Sequence, residues 1–233
     1  MTNEKITVIG VIVAMDKEFA QLRTLLTEAS TETHNGHTFT LGKIADKTIV
    51  ATQCGIGKVN SAIGAVELID AYHPDLVIST GVAGGADPTL NVCEVCVSTA
   101  CTYHDAYCGT ECAYGQILGM PERFPSPEAL VAKALAIDCG TAIHSGLTVS
   151  GEWFVDSRDK MQEILDHFPE AKAVDMESCS IAQTCHIYGV PFISFRIISD
   201  VPLNDHKAQM YFDFWDRMAD GSFHVTKAFL EAI

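Results

Sequence analysis

Four acidic residues stand at or just beyond the ends of short apolar runs that have the length of buried strands. They are Glu18, Asp175, Glu177 and Asp200, and Arg196 lies inside the last of these runs. Ligands of open α/β sheets bind beyond the carboxyl ends of the strands, where the loops converge. Carboxyl groups that meet there can act as general acid and general base. These acids are therefore the first candidates for chemistry.

Helix capping is an alternative for two of the acids. Glu18 and Glu177 fall in the first turns of predicted helices, where a negative charge is favoured by about 0.3–1 kcal/mol. A buried Arg196 cannot lose its charge, so it needs a carboxylate partner or an anionic ligand. Position alone leaves both interpretations of the acids open.

Two pairs of glycines can likewise be interpreted as ligand-binding or as structural. Gly55 and Gly57 follow a strand and open a helix, but Asn60 stands where a dinucleotide fingerprint has its third glycine. Gly84 and Gly85 either let the backbone approach a ligand closely or form a tight turn.

Strand-like and helix-like segments alternate along the chain, which is typical of an α/β protein. The predicted strands cover 7–15, 37–44, 48–54, 75–81, 92–104, 145–151, 172–176 and 191–199. The predicted helices cover 17–26, 58–72, a segment from 126, 157–167, 178–188 and about 209–233, and 105–126 is predicted to be irregular. We predict an α/β fold with a single domain over residues 1–233, in which helices flank a mixed central β-sheet.

The charge balance limits the partners. The 233 residues include 30 acidic and 15 basic side chains, a net charge of −15. Such a surface repels phosphate backbones and anionic lipids, so we expect no nucleic-acid and no membrane partner. No apolar run reaches the roughly 18 residues of a membrane span, and the N-terminus lacks the features of a secretory signal. We expect a cytoplasmic protein.

The nine cysteines agree with a reducing location, because their number is odd and no secretory context is present. Cys93 and Cys96 form a CxxC pair, but a zinc ribbon needs two such pairs. The segment around them is apolar, so we predict a buried strand and no metal site.

Seven short motifs carry a family resemblance. They are AMDKE (14–18), CGIGKV (54–59), TGVAGG (80–85), YHD (103–105), VSG (149–151), VDME (174–177) and ISD (198–200). In this order they resemble the 5'-methylthioadenosine/S-adenosylhomocysteine nucleosidases of the purine nucleoside phosphorylase-like superfamily. The resemblance spans nearly the whole chain and implies hydrolysis of an N-glycosidic bond with release of adenine.

The resemblance implies a role for each matching residue. Glu18 would be the general base on water, and Asp200 would protonate N7 of adenine with the Ser199 hydroxyl in support. Glu177 would hold the ribose hydroxyls, and Met176 would pack beside the sugar.

The resemblance implies further substrate contacts. Phe154 would stack on adenine, and the backbone of Val155 would read the edge of the base. Arg196 would lie near the attacking water and Phe212 over the 5'-alkylthio pocket. The other predicted substrate-binding residues are Ile56, Val82, Gly84 and Asp175. The family also implies an adenosine thioether as the small-molecule substrate, no cofactor, and a homodimer in which a partner loop completes the pocket.

These roles agree with the chemistry of the bond. Cleavage develops positive charge on ribose and negative charge on the purine, so one acid must be protonated and the other ionised, as in inverting glycoside hydrolysis. We expect Arg196 to lie close enough to Glu18 to keep it ionised.

The chain also departs from the family pattern. Val82 stands where a serine commonly helps to hold the water, and Asp175 stands where glutamate is commoner. The loop at 107–113 is one residue shorter, which leaves the preferred 5' substituent open.

Two other functions remain as alternatives. A phosphate-dependent nucleoside phosphorylase of the same fold needs several Arg or Lys side chains around the anion. The loops 16–18, 54–58, 81–85 and 103–108 contain only Lys17 and Lys58. The other alternative, a non-catalytic nucleoside-binding protein, would not need both Glu18 and Asp200. Hydrolysis is therefore the predicted reaction.

Overall fold

The computed structural model describes residues 6–203, residue 214 and residues 223–233, and within them ten strands form one mixed sheet. The strands are β1 (Val8–Val13), β2 (Thr27–His34), β3 (His37–Ile44), β4 (Lys47–Gln53), β5 (Leu76–Gly85), β6 (Val95–Tyr103), β7 (Phe124–Pro125), β8 (Ile143–Ser150), β9 (Ala171–Asp175) and β10 (Phe192–Asp200). The helices are α1 (Asp16–Thr24), α2 (Lys58–Tyr72), α3 (Glu128–Leu135), α4 (Arg158–His167), α5 (Ser178–Tyr188) and α6 (His224–Ala232).

The strand order brings several carboxyl ends to one place. The order is β10–β6–β8–β9–β5–β1–β4–β3–β2, with β7 beside β6, and β5 also pairs with β10. Strands β1, β4, β5 and β10 are linked by parallel pairings, so their carboxyl ends share one edge. Strand β9 meets the last two residues of β5 in antiparallel register, at Gly84 and Gly85. This pairing places the end of β9 beside the last residues of β5.

Helices cover both faces of the sheet, because the side chains of each strand alternate between two apolar clusters. Ile9 and Val11 of β1 face a cluster with apolar residues of α1, α3 and α6. Ile12 of the same strand faces the second cluster, which includes residues of α2 and α5. The near-continuous apolar run of β1 is thus explained by burial on both faces.

The mixed α/β architecture confirms the predicted fold class, and most predicted elements are present within one or two residues. The edge strand β2 was not predicted, because all of its residues are exposed and its sequence shows no apolar alternation. The short strand β7 lies inside the segment predicted to be irregular. Strand β6 begins at Val95, later than predicted, and Cys93 is exposed in a left-handed conformation (φ 76°). Of the predicted C-terminal helix the structure describes α6.

Within the described residues, no helix combines the length and the apolar character that crossing a membrane requires. Their His, Cys, Asp and Glu side chains form no group of three or more that could hold a metal ion. None of the nine cysteines, all of which lie in the described part of the chain, forms a disulfide bond.

Candidate active site

A cleft with a cavity volume of about 110 Å³ lies at the shared carboxyl edge of the sheet. All predicted site residues line it except two: Arg196 lies behind its wall, and Phe212 lies outside the described residues. The predicted residues on its surface are Glu18, Ile56, Val82, Gly84, Phe154, Val155, Asp175, Met176, Glu177, Ser199 and Asp200.

Five residues line the cleft without having been predicted. They are Ala14, Met15, Ala83, Trp153 and Val174. Ala83, Trp153 and Val174 are direct neighbours of predicted residues, so adjacency was the available signal for them, whereas Ala14 and Met15 stand four and three positions before Glu18. Gly84 and Gly85 lie in β5 and form no turn, and a Cβ at Gly84 would lie 3.0 Å from Cγ1 of Val174. Close packing against β9 is therefore one reason for glycine at this position.

Glu18 is buried in the first turn of α1. Its Oε2 accepts the backbone N–H groups of Ala14 and Met15 at 3.0 and 2.9 Å, and its Oε1 accepts that of Val82 at 2.9 Å. Glu18 thus caps the start of α1 and also lines the cleft. Burial raises the pKa of Glu18, and the Val82 N–H and the charge of Arg196 lower it by less. The charge of Arg196 thus favours the ionised form of Glu18, and burial opposes that form more strongly.

Gly81 lets Glu18 and Arg196 approach the same point. A Cβ at position 81 would lie 2.5 Å from Oε1 of Glu18 and 2.8 Å from Nη1 of Arg196. Separations this short do not occur for real Cβ atoms, so any side chain here would displace one of the two groups. Glycine at position 81 is therefore a requirement of the site.

Arg196 is buried behind the cleft and is paired with a carboxylate. Its Nε lies 2.6 Å from Oδ2 of Asp175, and its Nη2 donates to the hydroxyls of Ser79 and Ser178 at 2.6 and 2.9 Å. Asp175 also accepts the hydroxyls of Ser150 and Ser178, each at 2.5 Å. These donors occupy much of its acceptor capacity. Asp175 is therefore the partner that the buried arginine requires, and its predicted contact with substrate is not favoured by this geometry.

Glu177 is the residue before α5, and its carboxylate is buried. Oε1 accepts the backbone N–H of Gly57 at 2.9 Å. Burial, and then the negative charge of Asp175, raise the pKa of Glu177 to about 7, whereas Arg196 and the Gly57 N–H act in the opposite direction. The negative charge of Glu18 also raises this pKa. The charges of Glu18, Asp175 and Glu177 thus act on one another, and the charge of Arg196 interacts with all three.

Asp200 is the last residue of β10 and is buried like Glu18. Its Oδ1 accepts the hydroxyl of Ser199 at 2.7 Å, and the same Oγ lies 3.2 Å from the carbonyl oxygen of Ala83. The side chain of Asp200 is therefore oriented by its neighbour and by the end of β5. Glu18 and Asp200 lie on the surface of one cleft although 182 positions separate them (200 − 18).

An aromatic and apolar wall closes one side of the cleft. Phe154 is 58% exposed at the rim, and Val155 is buried beneath it. The ring of Trp153 packs against the buried ring of His104 at a centroid distance of 5.0 Å. A flat apolar ring system can bind against such a wall, with the carboxylates facing its polar edge.

The charged residues on the described surface of the cleft are all acidic, since no lysine or arginine lines it. An oxyanion in this cleft would meet Glu18, Glu177 and Asp200, and Arg196 is already paired with Asp175. The arrangement suits a neutral ligand with hydroxyl and N–H donors. It also suits a reaction in which positive charge develops near the carboxylates.

Known proteins resemble this chain in sequence and in fold. The family model described as "Phosphorylase superfamily" matches residues 8–231. A 5'-methylthioadenosine/S-adenosylhomocysteine nucleosidase of Staphylococcus aureus is 39% identical over 231 residues, 97% of this chain and 100% of the relative.

Two solved structures show the same likeness in three dimensions. The Streptococcus pneumoniae nucleosidase of the same description, solved with a transition-state inhibitor, superposes with a TM-score of 0.90 at 34% identity and covers 97% of this chain and 99% of its own. The Neisseria meningitidis nucleosidase, in complex with methylthio-immucillin-A, gives a TM-score of 0.91 at 33% identity and covers 98% of this chain and 100% of its own.

Proposed function

This chain belongs to the phosphorylase superfamily and, within it, to the 5'-methylthioadenosine/S-adenosylhomocysteine nucleosidases, and on that basis we propose which of its residues carry the hydrolysis. The reaction breaks the N-glycosidic bond of 5'-methylthioadenosine or S-adenosylhomocysteine and releases adenine. The observation that supports the assignment is the pair of buried acids, Glu18 and Asp200, on a cleft whose described surface carries no cationic side chain.

Asp200 acts as the general acid and Glu18 as the general base. Asp200, held by the Ser199 hydroxyl, donates its proton to N7 of adenine as the glycosidic bond breaks and the ring takes up the bonding electrons. Glu18, as a carboxylate, removes a proton from the water that attacks C1' on the opposite face. Ionised Asp200, protonated Glu18, neutral adenine and the free sugar result. Because the ribose carries positive charge in the transition state, the carboxylates around it lower the barrier.

The other cleft residues hold the substrate. Glu177 accepts the two ribose hydroxyls with Met176 against the sugar, and Phe154 stacks on adenine. The backbone of Val155 contacts the edge of the base. Val82 supplies an N–H to Glu18 but no hydroxyl to the water, so Glu18 is the main group that orients the nucleophile.

Hydrolysis is distinguished from phosphorolysis by the need for phosphate. Adenine release from 5'-methylthioadenosine in phosphate-free buffer is expected to proceed at full rate, because nothing on the described cleft surface neutralises an oxyanion. Mass spectrometry of the products should show the free sugar and no sugar phosphate. A requirement for added phosphate, or a sugar phosphate as the product, would make the chain a phosphorylase instead.

The ionisation of Glu177 should control substrate affinity near neutral pH. Since burial raises its pKa to about 7, the carboxylate becomes protonated as the pH falls through this value. A protonated carboxyl accepts ribose hydroxyls less well, so KM for 5'-methylthioadenosine should rise from pH 8 to pH 6. The control Glu177→Gln should have a high KM that changes little over this interval. A wild-type KM that does not change with pH would contradict the role given to Glu177.

A homodimer is supported by the outer faces of α2 and α5, which pack together and leave apolar side chains exposed. Val59, Ile63, Ile187 and Tyr188 form this face, and the first three line a groove between the helices. Monomeric proteins rarely expose apolar patches of this kind, so we propose that a second copy covers it. Sedimentation equilibrium should show a dimer that Ile63→Asp dissociates. Leu135→Asp, a change at an exposed leucine of α3, should leave the mass unchanged, and a monomeric wild type would refute the dimer.

The cytoplasm is the proposed location. It is supported by nine cysteines that form no disulfide bond and by the expectations from charge and sequence. Cell fractionation with antibody detection tests it, and recovery of the chain outside the cytoplasmic fraction would contradict it.

A further inference from the structure

Three loops that border the cleft are joined by side chains that do not line it. Lys58 begins α2, Asp105 follows β6, and Glu152 follows β8. None of the three is part of the cleft surface. Together they form what we call the three-loop clasp (Lys58, Asp105 and Glu152), and the roles assigned above make no use of it.

The first part of the three-loop clasp is an ion pair with two contacts. Nζ of Lys58 lies 2.9 Å from both carboxylate oxygens of Asp105. The Asp105 side chain is 9% exposed and that of Lys58 is 29% exposed, so water screens this pair less than a pair at the surface. The Lys58 ammonium also lies 5.3 Å from the centre of the Tyr103 ring, which adds a cation–π contact.

The second part consists of two backbone amides that close the cycle. The N–H of Glu152 donates to Oδ2 of Asp105 at 2.8 Å, and the N–H of Lys58 donates to Oε1 of Glu152 at 2.7 Å. These contacts form a closed cycle, which runs from the Lys58 ammonium through Asp105 and Glu152 back to the backbone N–H of Lys58. Gly57 permits this closure, because it has φ 95° and a Cβ there would lie 2.7 Å from Oε2 of Glu152.

Two members of the three-loop clasp, Lys58 and Glu152, adjoin groups that face the substrate. The amide of Gly57, next to that of Lys58, donates to Glu177, the carboxylate proposed to hold ribose. Glu152 directly precedes Trp153 and Phe154, which form the aromatic wall. The same cycle therefore fixes the donor that orients Glu177 and the start of the loop that carries the wall.

We propose that Lys58, Asp105 and Glu152 are positioning residues, which hold the Gly57 N–H against Glu177 and the aromatic wall against the base. This inference rests on the proposed function, because it concerns how the nucleoside is bound. Ribose and adenine contacts exist before and during the reaction, so loss of the clasp weakens ground-state and transition-state binding together. Such a loss raises KM and leaves kcat nearly unchanged.

The test compares KM and kcat for 5'-methylthioadenosine in Lys58→Met and Asp105→Asn. Each should raise KM by about tenfold and change kcat by less than about threefold, which is the loss expected for a partly buried charge-assisted contact. The double variant should be little worse than either single one, since both break the same pair. Lys58→Arg should restore most of the affinity, because guanidinium also pairs with a carboxylate through two contacts.

Lys172→Met is the matched control. Lys172 forms a partly buried ion pair with Asp87, away from the cleft surface. Its loss should lower thermal stability by an amount similar to that of Lys58→Met without raising KM. Glu152→Ala removes the acceptor of the Lys58 N–H and should raise KM in the same way, which keeps the test usable if Asp105→Asn does not fold.

The outcomes separate this inference from the function itself. If the wild type releases no adenine, the proposed function fails. If the wild type is active and Lys58→Met keeps a wild-type KM, the function stands and the positioning role is refuted. An equal rise of KM in Lys172→Met would show that the effect is one of stability only, and would likewise overturn the inference.

Discussion

Asp200→Asn is expected to lower kcat for adenine release by about 10²–10⁴-fold, the range for a lost general acid. Asparagine has the shape of aspartic acid but cannot give a proton to N7 of adenine. Its side-chain oxygen can still accept the Ser199 hydroxyl, which is 2.7 Å from Oδ1 of Asp200 in the wild type. We therefore expect binding to persist while turnover is lost.

Binding and turnover are measured separately for this variant. Isothermal titration with adenine or with a non-hydrolysable nucleoside should give a Kd within a fewfold of the wild-type value, and rapid-quench assays give the rate of the chemical step. Asp87→Asn, a change at an acid away from the cleft, is the control and should keep the wild-type rate. An unchanged kcat in Asp200→Asn would remove this residue from the mechanism. A wild type that binds nucleoside without cleaving it would support the non-catalytic alternative.

Glu18→Gln is expected to reduce kcat by a similar factor of about 10²–10⁴, because the amide cannot accept a proton from water. KM should change little, since Glu18 acts on the water and not on the nucleoside. The wild-type rate should also rise with pH as Glu18 ionises, because burial raises the pKa of this carboxyl and the base acts only in its ionised form.

The Glu18 variant needs its own control for folding. Glu18 accepts three backbone N–H groups, and glutamine offers one acceptor oxygen in their place. Urea unfolding followed by circular dichroism shows whether the variant is folded under assay conditions. A folded Glu18→Gln protein with wild-type kcat would contradict the assignment of the base.

The role of Glu18 was visible in the sequence, whereas the partner of Arg196 was not. Glu18 could be named as a candidate because an acid beyond an apolar strand run is visible in the sequence. The partner of Arg196 could not be named, since Asp175 and Glu177 flank the same strand end and differ by two positions. The closure of the sheet and the side-chain geometry at the end of β9 decide that Asp175 pairs with the arginine and Glu177 with the Gly57 amide.

The sequence by itself determined the alternation of strands and helices, the acids at the strand ends and the need of a buried arginine for a carboxylate. These features depend on local periodicity and on the cost of an unpaired charge, which single segments already express. Only the tertiary structure decided the contacts between distant loops. The Gly57–Glu177 and Lys58–Asp105 contacts join residues 120 and 47 positions apart. Such contacts depend on the register and closure of the whole sheet, which no single segment specifies.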